Sequence, residues 1–125
     1  MRRRQEHGDT LGAALNFAGT LIELQHLEEA KALMRKTLPV ARGVLGESDQ
    51  LLLDLGANYA RTLYLDPAAP LDDLREAVTT LEEIERTVRR VFGGAHPLAM
   101  EIEVGLRNAR AALRTREETQ PPGGA

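Results

Sequence analysis

His7, His26 and His96 are the residues of this chain best suited to ligate a metal or pass a proton, and their spacing serves neither purpose. None is followed by a second histidine at i+4, the arrangement that puts two imidazoles on one helical face, so no metal site and no zinc hydrolysis is expected. Ser48 and the scattered threonines provide no nucleophile with a matching base. Glu28, Glu29, Glu82, Glu83 and Glu85 read as solvated helix faces. Arg86, Arg89 and Arg90, with Arg107, Arg110, Arg114 and Arg116, give the second half a basic share. They are read as solvent-facing partners for nearby glutamates, with a patch for phosphate or acidic peptide as the sharper alternative. Phe17, Tyr59, Tyr64 and Phe92 are the only aromatic side chains, too few to form stacking platforms for single-stranded nucleic acid. The expectation is therefore a protein without catalysis of its own and without a cofactor.

Composition narrows the classes further. The 125 residues suffice for one domain, and a formal net charge of -3 gives no general attraction for nucleic acid or anionic membrane. Cysteine is absent, which excludes disulfides and thiolate chemistry and suits a reducing, cytoplasmic compartment. No stretch reaches the roughly 20 apolar residues of a membrane span.

Apolar spacing places five helices and no strand. Residues 1–8 are read as a frayed basic end, after which Asp9 or Thr10 offers an N-cap to a helix with Leu11, Ala14, Leu15, Ala18, Leu21 and Ile22 on its buried stripe. Gln25-His26 is the expected turn. A second helix buries Leu27, Ala30, Leu33, Met34, Thr37, Leu38, Ala41 and Val44, with Pro39 expected to bend or locally break it. Ser48-Asp49 caps a third, with Leu52, Leu55, Gly56, Tyr59, Ala60 and Leu63 inward. Asp66 to Pro70 forms a firm loop, and Asp72-Asp73 opens a fourth helix whose stripe runs from Leu74 to Val91 and Phe92. His96-Pro97 opens a fifth helix, and 118–125 is read as a disordered tail.

The chain also repeats itself. Asn16, Phe17, Ala18 and Leu21 match Asn58, Tyr59, Ala60 and Leu63 at a separation of 42 residues, and Ala30, Met34, Val44 and Gly46 match Ala77, Leu81, Val91 and Gly93 at 47. The second hairpin is thus the first with a longer internal loop. Asn16-Phe17-Ala18, Glu28-Glu29-Ala30 and Leu45-Gly46, their counterparts Asn58-Tyr59-Ala60, Arg75-Glu76-Ala77 and Phe92-Gly93, and then His96-Pro97 resemble the tetratricopeptide repeat, in the longer form of the kinesin light chains. The resemblance covers about residues 7–117. It implies an all-α superhelical solenoid spanning 9–117, with hairpins at 9–46 and 49–93 and a capping helix at 96–117.

It also implies a non-enzymatic scaffold that binds a peptide or partner protein in a groove lined by the first helix of each hairpin. Asn16 and Asn58 match the groove asparagine, whose amide can donate to and accept from peptide main chain at once. The bland alternative for both is a hydrogen bond between adjacent helices. Leu15, Ile22, Asp54, Arg61 and Tyr64 are carried over as groove candidates, with Gly12, Gly19, Glu23, Ala57 and Leu65 beside them. Lysines for a carboxylate clamp are missing. Gln25 stands at a turn position that the family gives to glycine, so it either adopts a left-handed conformation or makes a different turn. In the fifth helix Arg107 and Arg110 fall where Ala60 and Leu63 pack, which would prop the helices apart unless that face is solvated. A homodimer, packing against further repeats, or a place as a regulatory piece of a larger protein are the alternatives, with Leu11, Leu15 and Leu55 as residues a second copy would cover.

Overall fold

The computed structural model describes residues 2–119, with side chains from Asp9 onward. Five helices follow one another: α1 (Arg2–Glu23), α2 (Leu27–Val44), α3 (Gln50–Tyr64), α4 (Leu71–Val91) and α5 (Pro97–Thr119). No strand occurs among the described residues.

Two ends differ from expectation. Helix α1 starts at Arg2, so residues 2–8 are helical and neither Asp9 nor Thr10 caps it. Arginine and glutamine propagate a helix well, and one interior glycine, Gly8, costs only about 1 kcal/mol. Helix α5 reaches Thr119, two residues into the expected tail, and residues 120–125 lie outside the described residues.

The turns carry clear local chemistry. Gln25 has φ 62, the left-handed region, and is the only described non-glycine to do so. His26 N–H donates to the Leu21 carbonyl at 2.8 Å and Gln25 N–H to that of Ile22 at 3.0 Å. These two bonds satisfy carbonyls left over at the end of α1, as in a Schellman motif. The Asp49 side chain accepts from Leu51 N–H at 2.9 Å and caps α3 as expected. Pro39 does not break α2, which runs through it to Val44. Arg35 and Pro39 both lie on the exposed side of α2, where a carbonyl deprived of its donor can bond to water.

Each helix packs on the next, and α1 also packs on α3 and α3 on α5, whereas the α2 and α4 backbones do not approach one another. Odd-numbered helices therefore sit close together on one side, and even-numbered helices splay on the other. This repeat-like arrangement buries one main cluster, including Met34, Leu55, Tyr59, Leu63, Leu81, Val88, Ile102 and Leu106. Leu11 and Leu55 belong to that core, so they are not free for a second copy. Val91, expected on the α4 stripe, is 42% exposed. Arg107 and Arg110 are exposed and prop nothing apart, because Gly105, Leu106 and Ala109 face the neighbours instead.

Among the arginines of the second half, Arg89 pairs with Glu103 at 2.6 Å and Arg110 with Glu82 at 3.0 Å. Arg116 is half-buried rather than solvent-facing. Its guanidinium donates to the carbonyls of Ala69 and Pro67 and ties the 65–70 loop to α5.

Two glycines separate helix propensity from packing. A Cβ on Gly56 would lie 2.8 Å from Ile84 Cδ1 across the α3–α4 contact, whereas one on Gly43 would meet nothing. Gly43→Ala is expected to raise stability by about 0.5 kcal/mol. Gly56→Ala should gain less, because Ile84 Cδ1, the far end of a flexible side chain, must first swing aside. Paired urea titrations read both, and equal gains would show that Ile84 moves aside without cost.

Candidate functional site

Helices α1, α3 and α5 enclose an open cleft of about 690 Å³. Leu15, Asn16, Gly19 and Glu23 form its α1 wall, and Asp54, Ala57, Asn58, Arg61 and Tyr64 its α3 wall. The third wall is His96, Pro97, Leu98, Glu101, Ile102 and Gly105 on and beside α5, with Leu81 reaching in from α4. Asn16, Asn58, Leu15, Asp54, Arg61 and Tyr64 thus come together in one place. Ile22 does not. It is buried with Leu21 and Ala30 between α1 and α2, because a position six residues after Asn16 has rotated away from the cleft. Gly12 also lies outside the cleft lining, and Leu65 lines a side recess with Met100 and Val104.

Sequence reasoning missed the contribution of α5. Leu98, Glu101, Ile102 and Gly105 recur at helical spacing, the signal of one face, yet the helix reads as a cap with arginines at its packed positions. Moving the match by one residue, so that Leu106 corresponds to Ala60 and Ala109 to Leu63, brings the buried positions into register. Gly105 then leaves room beside Tyr64, whose hydroxyl would lie 3.6 Å from a Cβ there.

Polar groups give the cleft its character. Arg61 Nη1 donates to Asn58 Oδ1 at 3.2 Å, which leaves the Asn58 amide hydrogens available. Burial pushes the Tyr64 phenol above its ordinary value, with the nearby Arg61 charge pulling the other way. The hydroxyl is therefore a neutral donor and acceptor at physiological pH. His96 works structurally: its Nδ1 accepts from Leu98 N–H at 3.1 Å at the start of α5, and its ring lies 4.8 Å from that of Phe92. No group of three histidine or acidic residues among the described residues is arranged to hold a metal ion. No described helix is long and apolar enough to cross a membrane.

Asp54 is held above its ordinary carboxyl value of 3.8, first by burial and second by the charge of Glu101, with His96 opposing. A folded value raised above the unfolded one gives stability that is full below the unfolded value and is lost as pH rises through the folded one. At neutral pH the ionised Asp54 therefore costs stability. Asp54→Asn is expected to raise it, by on the order of 0.5 kcal/mol or about 2–4 °C in Tm, since partial solvent access screens the repulsion. The gain should vanish in melts taken below about pH 3.8, where the wild-type carboxyl is already neutral. An unchanged or lowered Tm at neutral pH would mean that burial and Glu101 do not destabilise the ionised form.

No family model, no curated protein and no solved structure matches the chain.

Proposed function

We propose that the chain is a non-enzymatic protein-interaction module of the tetratricopeptide type, similar to the kinesin light chain repeats. In this reading the two hairpins form a short solenoid that α5 closes, and the α1–α3–α5 cleft holds an extended peptide segment of a partner. The observation that carries the reading is that Asn16 and Asn58, matched by the internal repeat, line the same cleft from adjacent helices. An amide grips peptide main chain without reading its sequence, and Asn58, whose oxygen is engaged by Arg61, has its hydrogens left for a peptide carbonyl. Tyr64 adds a neutral hydroxyl, and Leu15 and Ala57 add apolar wall for one side chain. The net charge of -3 sets nucleic acid aside, and the absence of cysteine fits a cytoplasmic setting.

A peptide-array screen followed by titration of the best binders tests this. Asn16→Ala and Asn58→Ala are expected to weaken those binders about tenfold each, the effect of one lost main-chain hydrogen bond of about 1.4 kcal/mol. If no peptide binds, or if binders ignore both substitutions, the cleft is not a peptide site.

A further inference from the structure

We infer that the chain joins copies of itself end to end, the exposed face of α1 around Phe17 and Leu24 docking on the exposed face of α5 around Met100 and Val104 of a second copy. Helices α1, α3 and α5 form a row in which α3 touches both neighbours, while α1 and α5 do not touch each other. Each end of the row therefore keeps a flank that no described helix covers. A terminal element of a solenoid needs a polar outer face to stay soluble. Neither end of this row has one.

On α1, Ala13 and Phe17 are exposed one turn apart, and Leu24, two turns beyond Phe17 and just past the helix end, continues the same face. Phe17 is 55% exposed. On α5, Met100 and Val104 are exposed one turn apart, Met100 to 60%, and Arg107 follows at helical spacing. Leu65 joins Met100 and Val104 in the side recess, so this apolar area extends onto the end of α3. Of the large apolar side chains exposed among the described residues, all but Val40 and Val91 thus lie at the two ends of the row.

Charge selects the pairing. From Asp9 to Leu24 the chain carries Asp9 and Glu23 and no base, whereas from Val104 to Arg116 it carries Arg107, Arg110, Arg114 and Arg116 and no acid. Arg110 is engaged by Glu82 at 3.0 Å, and Arg116 by the carbonyls of Ala69 and Pro67. Arg107 and Arg114 are exposed and pair with no acid among the described residues. Setting α1 on α1 would oppose acid to acid, and α5 on α5 arginine to arginine, so the complementary contact is α1 on α5. Every copy carries both halves of that contact, which makes a second copy the occupant. The halves differ, so the contact is head to tail, and a joined pair still offers one free face of each kind.

Sedimentation velocity of the full chain, at concentrations rising to on the order of 100 µM, is expected to show a mass that grows past one chain. Phe17→Asp and Val104→Asp should each weaken this association at least tenfold and sediment as one chain, with circular dichroism unchanged because both positions are exposed. Mixed in equal amounts, the two variants should restore a species of two chains and nothing larger, since the first keeps its α5 face and the second its α1 face. Phe17→Ser, and Arg107→Glu combined with Arg114→Glu, block the same two faces by gentler changes and keep the mixture available if either aspartate variant loses helix. None of these substitutions removes Asn16 or Asn58, so peptide titrations read the proposed function separately. A wild type that stays at one chain throughout would overturn the inference. So would a variant that still associates alone as strongly as wild type, which would show a face pairing with itself or a contact elsewhere, or a mixture that stays at one chain.

Discussion

Leu81→Ala is expected to lower stability by about 3 kcal/mol in urea titration, with the slope of the transition unchanged. Leu81 is 1% exposed and belongs to the main core cluster while also reaching the cleft. Its Cδ atoms lie 3.6 and 3.8 Å from where a Cβ on Gly105 would stand, so α4 supplies the side chain and α5 supplies none at this contact. Leucine-to-alanine losses range over about 2–5 kcal/mol according to how far the surroundings collapse. Here the opposing residue has nothing to swing into the space, which places the loss in the middle of that range or above. Gly105→Ala in the same background should return about 1 kcal/mol, from a better helix former and one methyl of filling. A loss under 1 kcal/mol for Leu81→Ala would show that α5 closes onto α4 without it.

Helix existence was legible in the sequence because burial on a helix repeats every three to four residues, and Met34, Leu38, Tyr59, Leu63 and Val88 lie where that period puts them. The internal repeat carried the site further than periodicity could. It paired Asn16 with Asn58, and those residues share a cleft that neither helix alone specifies. What was hidden depends on register or on distant partners. A one-residue error turns a helix by about 100°, which is why the repeat match puts Arg107 and Arg110 at packed positions that Leu106 and Ala109 fill. Ile22 lies on the buried stripe of α1 against α2 and not in the cleft. Pro39 removes one helical donor, yet α2 runs through it to Val44. Long side chains were the least legible. Lys31, Arg35 and Arg116 each look like surface charge, and each spans between elements that no local pattern brings together.

The network around Asp73 carries the second large effect. Helices α2 and α4 do not meet through their backbones, and side chains join them instead. Lys31 Nζ lies 3.1 Å from Asp73 Oδ2, and Arg35 Nη2 lies 3.5 Å from Asp73 Oδ1 and 3.7 Å from Glu76. Tyr59 donates to Glu76 at 2.6 Å and accepts from Arg35, closing the circuit through α3. The side chains of Lys31 and Asp73 are only 13% and 14% exposed, so their stems are packed, and removing the carboxylate leaves the ammonium with the exposed Glu28 as its remaining partner. Asp73→Ala is therefore expected to cost about 2 kcal/mol, more than a surface pair and less than a fully buried one. Asp73 also sits in the first turn of α4, where its charge meets the positive end of the peptide dipoles, and Asp73→Asn should lose that charge while keeping an acceptor. The pH dependence separates the ion pair from the rest. Burial acts most strongly on the Lys31 ammonium and pulls its pKa down, but the hydrogen bonds and charges of Asp73 and Glu28 together hold it above the ordinary 10.5. A folded value raised above the unfolded one gives stability that is complete below 10.5 and is lost as pH climbs through the folded value. The gap between wild type and Asp73→Ala should thus be full at neutral pH and narrow once pH passes about 10.5. Tyr59, raised by its burial, weakens both proteins above its ordinary 10.0, so the difference between the two melts reports Lys31. A gap that stays constant across that range would assign the loss to the helix start and not to the bridge between α2 and α4.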